Sequence, residues 1–178
     1  MVRAFRVHDP SISNRNLICA FCFANTHRKY RLENATMRLT SFTDYGLRIL
    51  MRLAGSPDRP FSTGELADEF KVSRAHLAKV ISALANAGYL KTRRGGGGGA
   101  VLSRPASDIR LGDVVSTLET GQPIVECFSA DGSACTLTPS CLLKDRLKQA
   151  EQAFFDDLNQ ATLADCIYRP PWEVSAAE

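Results

Sequence analysis

The sequence predicts a mainly α fold with a small β wing, and three observations predict it. Between Ser62 and Gly88 a short amphipathic stretch, a tight turn and a longer amphipathic stretch follow one another. A run of five glycines, Gly95 to Gly99, stands between two short apolar stretches. From Leu143 to Ala161 apolar residues recur every three or four positions. The first pattern is that of a helix-turn-helix, the second that of a hairpin, and the third that of a long helix with one apolar face.

In chain order, "SFTDYGLRILMRL" at 41–53 places Phe42, Tyr45, Ile49 and Leu53 on one stripe, with Leu50 beside it. Ser41 with Asp44 three residues later approximates a capping box, and "SPDRP" at 56–60 stops the helix. Ser62 or Thr63 caps a short helix through Phe70, with Leu66, Ala67 and Phe70 facing inward. After a tight turn at Lys71 and Val72, Ser73 caps a second helix with Leu77, Val80, Ile81 and Leu84 on its buried stripe, and Gly88 ends it. Arg74, Ala75, His76 and Lys79 fall off that stripe at the helix start, where a recognition helix presents side chains to phosphates and base edges.

"YLKTRRGGGGGAVLSRP" then reads as strand, glycine-rich tip and strand, anchored by Tyr89, Leu90, Val101 and Leu102. Arg93 and Arg94 at its base are candidates for phosphates or a minor groove. "DIRLGDVVSTLE" at 108–119 predicts a helix burying Ile109, Leu111, Val114, Val115 and Leu118. "CLLKDRLKQAEQAFFDDLNQATLADCI" predicts a long helix with Leu143, Leu147, Ala150, Phe154, Leu158 and Ala161 on one stripe and Cys166 near its end. A single winged helix needs no apolar stripe of that length for its own core, so the stripe predicts the seam of a homodimer. The domain reading is a winged helix-turn-helix DNA-binding domain at 37–107, a cysteine loop with dimerisation helices at 108–167, and a disordered tail at 168–178.

Charge agrees with a partner that is a polyanion. Residues 37–107 carry eleven Lys or Arg against five Asp or Glu, whereas residues 108–178 carry five against twelve. A basic module joined to an acidic one suits double-stranded DNA, with the acidic part held away from it. No apolar run approaches the roughly 20 residues of a membrane-spanning helix. The N-terminal "LICAFCFA" lacks a signal-peptide context, which places the protein in the cytoplasm. No serine–histidine–acid set is visible, and the glycine run lacks the Lys-Ser/Thr ending of a phosphate-binding loop. The reading is therefore a regulator without enzymatic activity.

Six cysteines complete the inventory. Cys127, Cys135 and Cys141 lie on one glycine-, proline- and serine-rich stretch, with seven and then five residues between them. A disulfide is disfavoured in the cytoplasm. Structural zinc prefers four ligands, usually in close pairs, and the histidines stand away at 8, 27 and 76. Three thiolates on one loop can hold an iron–sulfur cluster; spacing leaves that and a zinc- or thiol-based module open. Cys19 and Cys22 form a C-x2-C without a second pair, and Cys166 reads as a packed thiol.

"MRLTSFTDYGLR" at 37–48, the wing, "IRLGDVV" at 109–115, the three-cysteine loop and "TLAD" at 162–165 resemble the NsrR-type nitric-oxide-sensing repressors, part of a winged-helix family that includes RirA, IscR and CymR. The resemblance implies a homodimeric DNA-binding repressor with one iron–sulfur cluster per subunit, 4Fe-4S rather than 2Fe-2S, and nitric oxide as the signal. It places metal ligands at Cys127, Cys135 and Cys141, with Asp44 of the partner subunit as the fourth. It begins at Met37, which makes residues 1–36 a non-native or disordered extension from an extended gene start. Two departures stand out. The longer first gap resembles RirA spacing, so an iron-responsive regulator is the alternative. Lys144 stands where an IscR-type protein would place a histidine ligand.

Overall fold

The computed structural model describes residues 38–93, 95, 98–129, 135, 137 and 140–174, the last by its backbone. The expectation for residues 1–36 lies outside the described residues. Helices α1 (Ser41–Gly55), α2 (Thr63–Phe70) and α3 (Arg74–Asn86) are followed by strands β1 (Leu90–Arg93) and β2 (Gly99–Leu102). Then come α4 (Leu111–Leu118), α5 (Leu142–Leu158) and a short α6 (Pro171–Val174). Among the described residues this is a mainly helical winged-helix fold with a two-stranded antiparallel sheet.

Local chemistry sets these boundaries. Ser62 and Ser73 cap α2 and α3, their side chains accepting hydrogen bonds from the N–H groups of Glu65 and His76. Such caps are worth about 1 kcal/mol each. Between the two helices Lys71 takes a left-handed φ of 55°. That conformation closes α2 and permits the tight turn. α1 begins one residue earlier than the pattern suggested: Thr40 is the N-cap and accepts from Thr43 N–H. Asp44 therefore caps nothing, and the Ser41–Asp44 capping box does not form.

The core is built from Ile49, Leu50 and Leu53 of α1, Leu66 of α2, and Leu77, Val80 and Leu84 of α3, with Phe61, Ile109, Val114 and Leu163. The wing pairs Leu90 with Leu102 and Arg93 with Gly99. Phe61 extends it by exchanging two backbone hydrogen bonds with Ala100 (3.0 and 2.7 Å). Ala100 is more deeply buried than the expected anchors Val101 and Leu102. A Cβ at Gly99 would strike the Phe61 backbone, so glycine is needed where this third segment crosses the wing.

Three elements differ from expectation. α4 starts at Leu111, after a 3-10 turn at Ala106–Asp108, because Ile109 and Arg110 are extended and meet the chain's return. Leu163 N–H donates to the Ile109 carbonyl at 2.8 Å. α5 ends at Leu158, short of Ala161, and Cys166 lies in a separate 3-10 turn, Leu163–Cys166. Thr162 and Asp165 form a capping box that starts this turn. The Thr162 backbone and hydroxyl hydrogen bonds hold the Asp165 carboxyl below its ordinary pKa. The tail is the third difference. Tyr168 N–H bonds the Met51 carbonyl at 3.1 Å, and Arg169 Nε bonds the Gly55 carbonyl at 2.8 Å. The segment assigned to disorder is thus seated on α1 as far as Glu173.

Among the described residues no helix is long and apolar enough to cross a membrane.

Candidate functional site

The start of α3 divides the expected DNA-facing set. Arg74, Ala75 and Lys79 are exposed. Arg74 pairs with Asp68 of α2 at 3.4 Å, both largely in solvent. Exposed pairs of this kind are worth less than about 1 kcal/mol, so the guanidinium can leave Asp68 for a phosphate. His76 behaves otherwise. Its ring stands edge-on to Tyr45 of α1, centroids 5.3 Å apart. Its Nε2 is buried without a hydrogen-bond partner. Arg93 is exposed at the end of β1; Arg94 lies outside the described residues.

The three cysteines lie on the segment between α4 and α5, Cys127 and Cys135 within it and Cys141 at its end. Cys127 is in a 3-10 turn, Glu126–Phe128, and is half-buried, as is Cys135. Cys141 is the N-cap of α5, where no side chain caps the helix. It precedes a 17-residue helix. Among the described residues no three His, Cys, Asp or Glu side chains come together as a metal group. Cys127, Cys135 and Cys141 therefore sit on one segment without being assembled within the described chain.

Asp44 lies in the first turn of α1 and pairs with Arg48 one turn on, at 2.8 Å and about half exposed. Arg48 also stands over the Tyr45 ring at 5.6 Å, so Asp44, Arg48, Tyr45 and His76 form a row from α1 to the recognition helix. The start of α1 is tied to the end of α4 as well. Thr40 N–H and Oγ1 both donate to Glu119 Oε1, at 2.8 and 3.0 Å. Glu119 closes α4 just before the cysteine segment. Gly46 lets the two helices approach, since a Cβ there would meet Leu118 Cδ1.

α5 is held to α4 at its far end. Asn159 receives a hydrogen bond from Asp113 N–H at 3.0 Å, donates to Asp113 Oδ1 at 3.0 Å, and takes Arg110 Nη1 on its carbonyl at 2.7 Å. None of its 17 residues is fully buried: Leu143 is 63% exposed, and Leu147, Phe154 and Leu158 are half-buried.

One feature gave no sequence signal. Arg52 of α1 is 1% exposed and bonds both Glu69 oxygens through Nε (2.9 and 3.1 Å), Ser56 Oγ through Nη1 (2.9 Å) and Glu173 through Nη2. Burial opposes its charge, but the hydrogen bonds and charges of Glu173 and Glu69 outweigh it and raise its pKa. The bond from Arg52 in turn holds the Glu173 carboxyl below the ordinary glutamate value. The groups facing Glu173 are Arg52 on α1, Ser56, Asp58 and Arg59 on the following loop, and, through Arg52, Glu69 on α2. Because the folded value is depressed, the stability that Glu173 contributes is full above about pH 4.3 and is lost as pH falls through the folded value. The carboxyl 13C shift of Glu173 should accordingly titrate with a midpoint below that of a free glutamate.

A family model described as Rrf2, iron-dependent transcriptional regulator, matches residues 39–169. A Listeria innocua protein described as a transcriptional regulator is 32% identical and superposes with a TM-score of 0.57 over 74% of this chain and 86% of its own. CymR (YrzC), the global cysteine regulator of B. subtilis, is 28% identical with a TM-score of 0.54 over 73% and 95%. IscR of T. potens, at 24% identity and a TM-score of 0.57 over 80% and 89%, shares the fold.

Proposed function

Because the chain belongs to the Rrf2 family of transcriptional regulators, we propose that it is a homodimeric repressor that binds a dyad-symmetric operator and senses nitric oxide through an iron–sulfur cluster. Cys127, Cys135 and Cys141 would hold the cluster, with Asp44 of the partner subunit as its fourth ligand. The observation that carries this reading is the placement of three cysteines on one segment between α4 and α5, with Cys141 at the uncapped start of α5. The donor set fits: thiolates are the ligands of iron–sulfur clusters, and a four-iron cluster needs one donor beyond three. When bound, the cluster would supply iron open to attack by nitric oxide.

The chain's own residues do the rest. The cysteine segment joins Glu119, which anchors α1, to α5, which carries the dimer stripe. Order in that segment then sets the spacing of two recognition helices, and loss of order changes it. Arg74, Ala75 and Lys79 face the major groove, and Arg93 and Arg94 reach phosphates or the minor groove. His76 acts by packing on Tyr45, which fixes the angle of α3. Arg74→Ala should weaken operator binding by about 1–3 kcal/mol and relax sequence preference, with the visible spectrum unchanged. Fluorescence anisotropy of labelled operator measures this; parent-like affinity would move the base contacts elsewhere.

A second reading is an iron-responsive regulator. The long first gap between cysteines and the iron-dependent description of the family favour it. Anaerobically purified protein titrated with nitric oxide, and separately with an iron chelator, with operator binding as readout, separates the two. Release by nitric oxide at constant iron supports the first; release only by chelation supports the second. A colourless protein whose operator binding follows thiol oxidation would replace both with a thiol-based regulator, the direction in which the likeness to a global cysteine regulator points. Cys127→Ser, Cys135→Ser and Cys141→Ser should each lose most visible absorbance, whereas Cys166→Ser should keep it.

A further inference from the structure

We propose that Arg52, Ser56 and Arg59 form a carboxylate-binding site whose occupant is Glu173 of the same chain, so that Tyr168–Glu173 is a latch fixing α2 of the helix-turn-helix. Glu173, the acidic end of the latch, lies four residues past the last residue of the family match.

The site is built. A guanidinium that is 1% exposed needs counter-charge on each edge, since a buried unpaired charge costs several kcal/mol. Glu69 takes one edge of Arg52, and Glu173 takes the Nη2 edge. Ser56 Oγ donates to the other Glu173 oxygen at 2.9 Å, and Arg59 Nη2 adds a longer bond at 3.4 Å. Both guanidiniums stand over the buried Phe61 ring, at 4.5 and 3.9 Å, which fixes their direction. Ser56, Asp58, Arg59 and Glu173 also line an open surface cleft of about 460 Å³.

The occupant is held by separate anchors. Tyr168 and Arg169 bond the Met51 and Gly55 carbonyls, which lie at the end of α1. A Cβ at Gly55 would strike the Tyr168 carbonyl, so the close approach depends on glycine there. Pro170 is buried and Trp172 is 62% exposed, so what seats the end of the tail is the Glu173 carboxylate rather than an aromatic side chain. Arg52 is shared: the carboxylate at Nη2 comes from the tail, and the one at Nε comes from α2. Filling or emptying the Glu173 position therefore changes the charge left for Glu69 and, through it, the hold on α2.

Trp172 is the only tryptophan and lies beside Glu173, so it reports on the latch in the full chain. Time-resolved anisotropy of the parent should follow whole-molecule tumbling. Glu173→Gln, which keeps shape and removes charge, should add a fast nanosecond component, speed chymotryptic cleavage after Trp172 at least about tenfold, and raise amide exchange across Thr63–Phe70. A Ser56→Ala/Arg59→Met double variant should do the same, and Glu151→Gln, a charge change on α5, should do none of it. Parent-like anisotropy in both the Glu173→Gln and the double variant would overturn the site. A freed Trp172 with unchanged exchange in α2 would overturn the latch.

Discussion

Arg52→Ala is expected to lower the stability of the folded chain by about 3–5 kcal/mol, the cost of removing one partner from a buried ion pair. The guanidinium is almost wholly buried and serves two carboxylates at once, while Glu69 and Glu173 are 14% and 28% exposed. Alanine leaves both acids facing each other over a cavity. Native stabilities are on the order of 5–15 kcal/mol, so the loss is a large fraction of the total and should show as a lower urea midpoint with little change in slope. Arg52→Met combined with Glu69→Gln and Glu173→Gln should recover much of the loss, because an apolar side chain without buried charges around it is tolerated. A single Arg52→Ala variant within about 1 kcal/mol of the parent would mean that the pair is open to water in solution.

If α5 carries the proposed homodimer seam, Leu147→Asp with Phe154→Asp is expected to convert that dimer to monomer and to reduce binding to a full palindrome far more than to a half-site. Both side chains are half-buried on a helix with no fully buried residue, beside a strongly exposed Leu143. Two carboxylates placed in an apolar seam without partners cost several kcal/mol, more than most seams of this length supply. Sedimentation velocity checks the assembly. A double variant that still sediments as a dimer would place the seam on another face.

The DNA-reading half was written in short-range signals, and these are the ones a single sequence carries. Ser62, Ser73 and Lys71 act on backbone within four residues of themselves, so caps and turn could be read directly. The apolar stripe of α3 matched its buried residues one for one. What sequence could not show is long-range. Arg52 looks like any solvated helix arginine until Glu69 and Glu173, 17 and 121 residues away, are brought to it. Thr40 finds Glu119 across 79 residues. His76 shares with Arg74 a position off the stripe, but Tyr45 of another helix stands edge-on to its ring. The α5 boundary was visible in principle. Thr162 and Asp165 have the spacing that starts a turn, and the apolar period running across them concealed it.

The attachment of α5 makes it a cantilever. Asn159 is clamped by Asp113 and Arg110 at one end, and Cys141 stands at the other. At 1.5 Å per residue the helix is roughly 25 Å long, so a 5° tilt about the Asn159 end carries the Cys141 end through on the order of 2 Å. A small angular change at Asn159 and a large linear one at Cys141 are then the same motion. Asn159→Ala, which loosens the clamp, should alter how firmly the thiol end is positioned although it lies a full helix away.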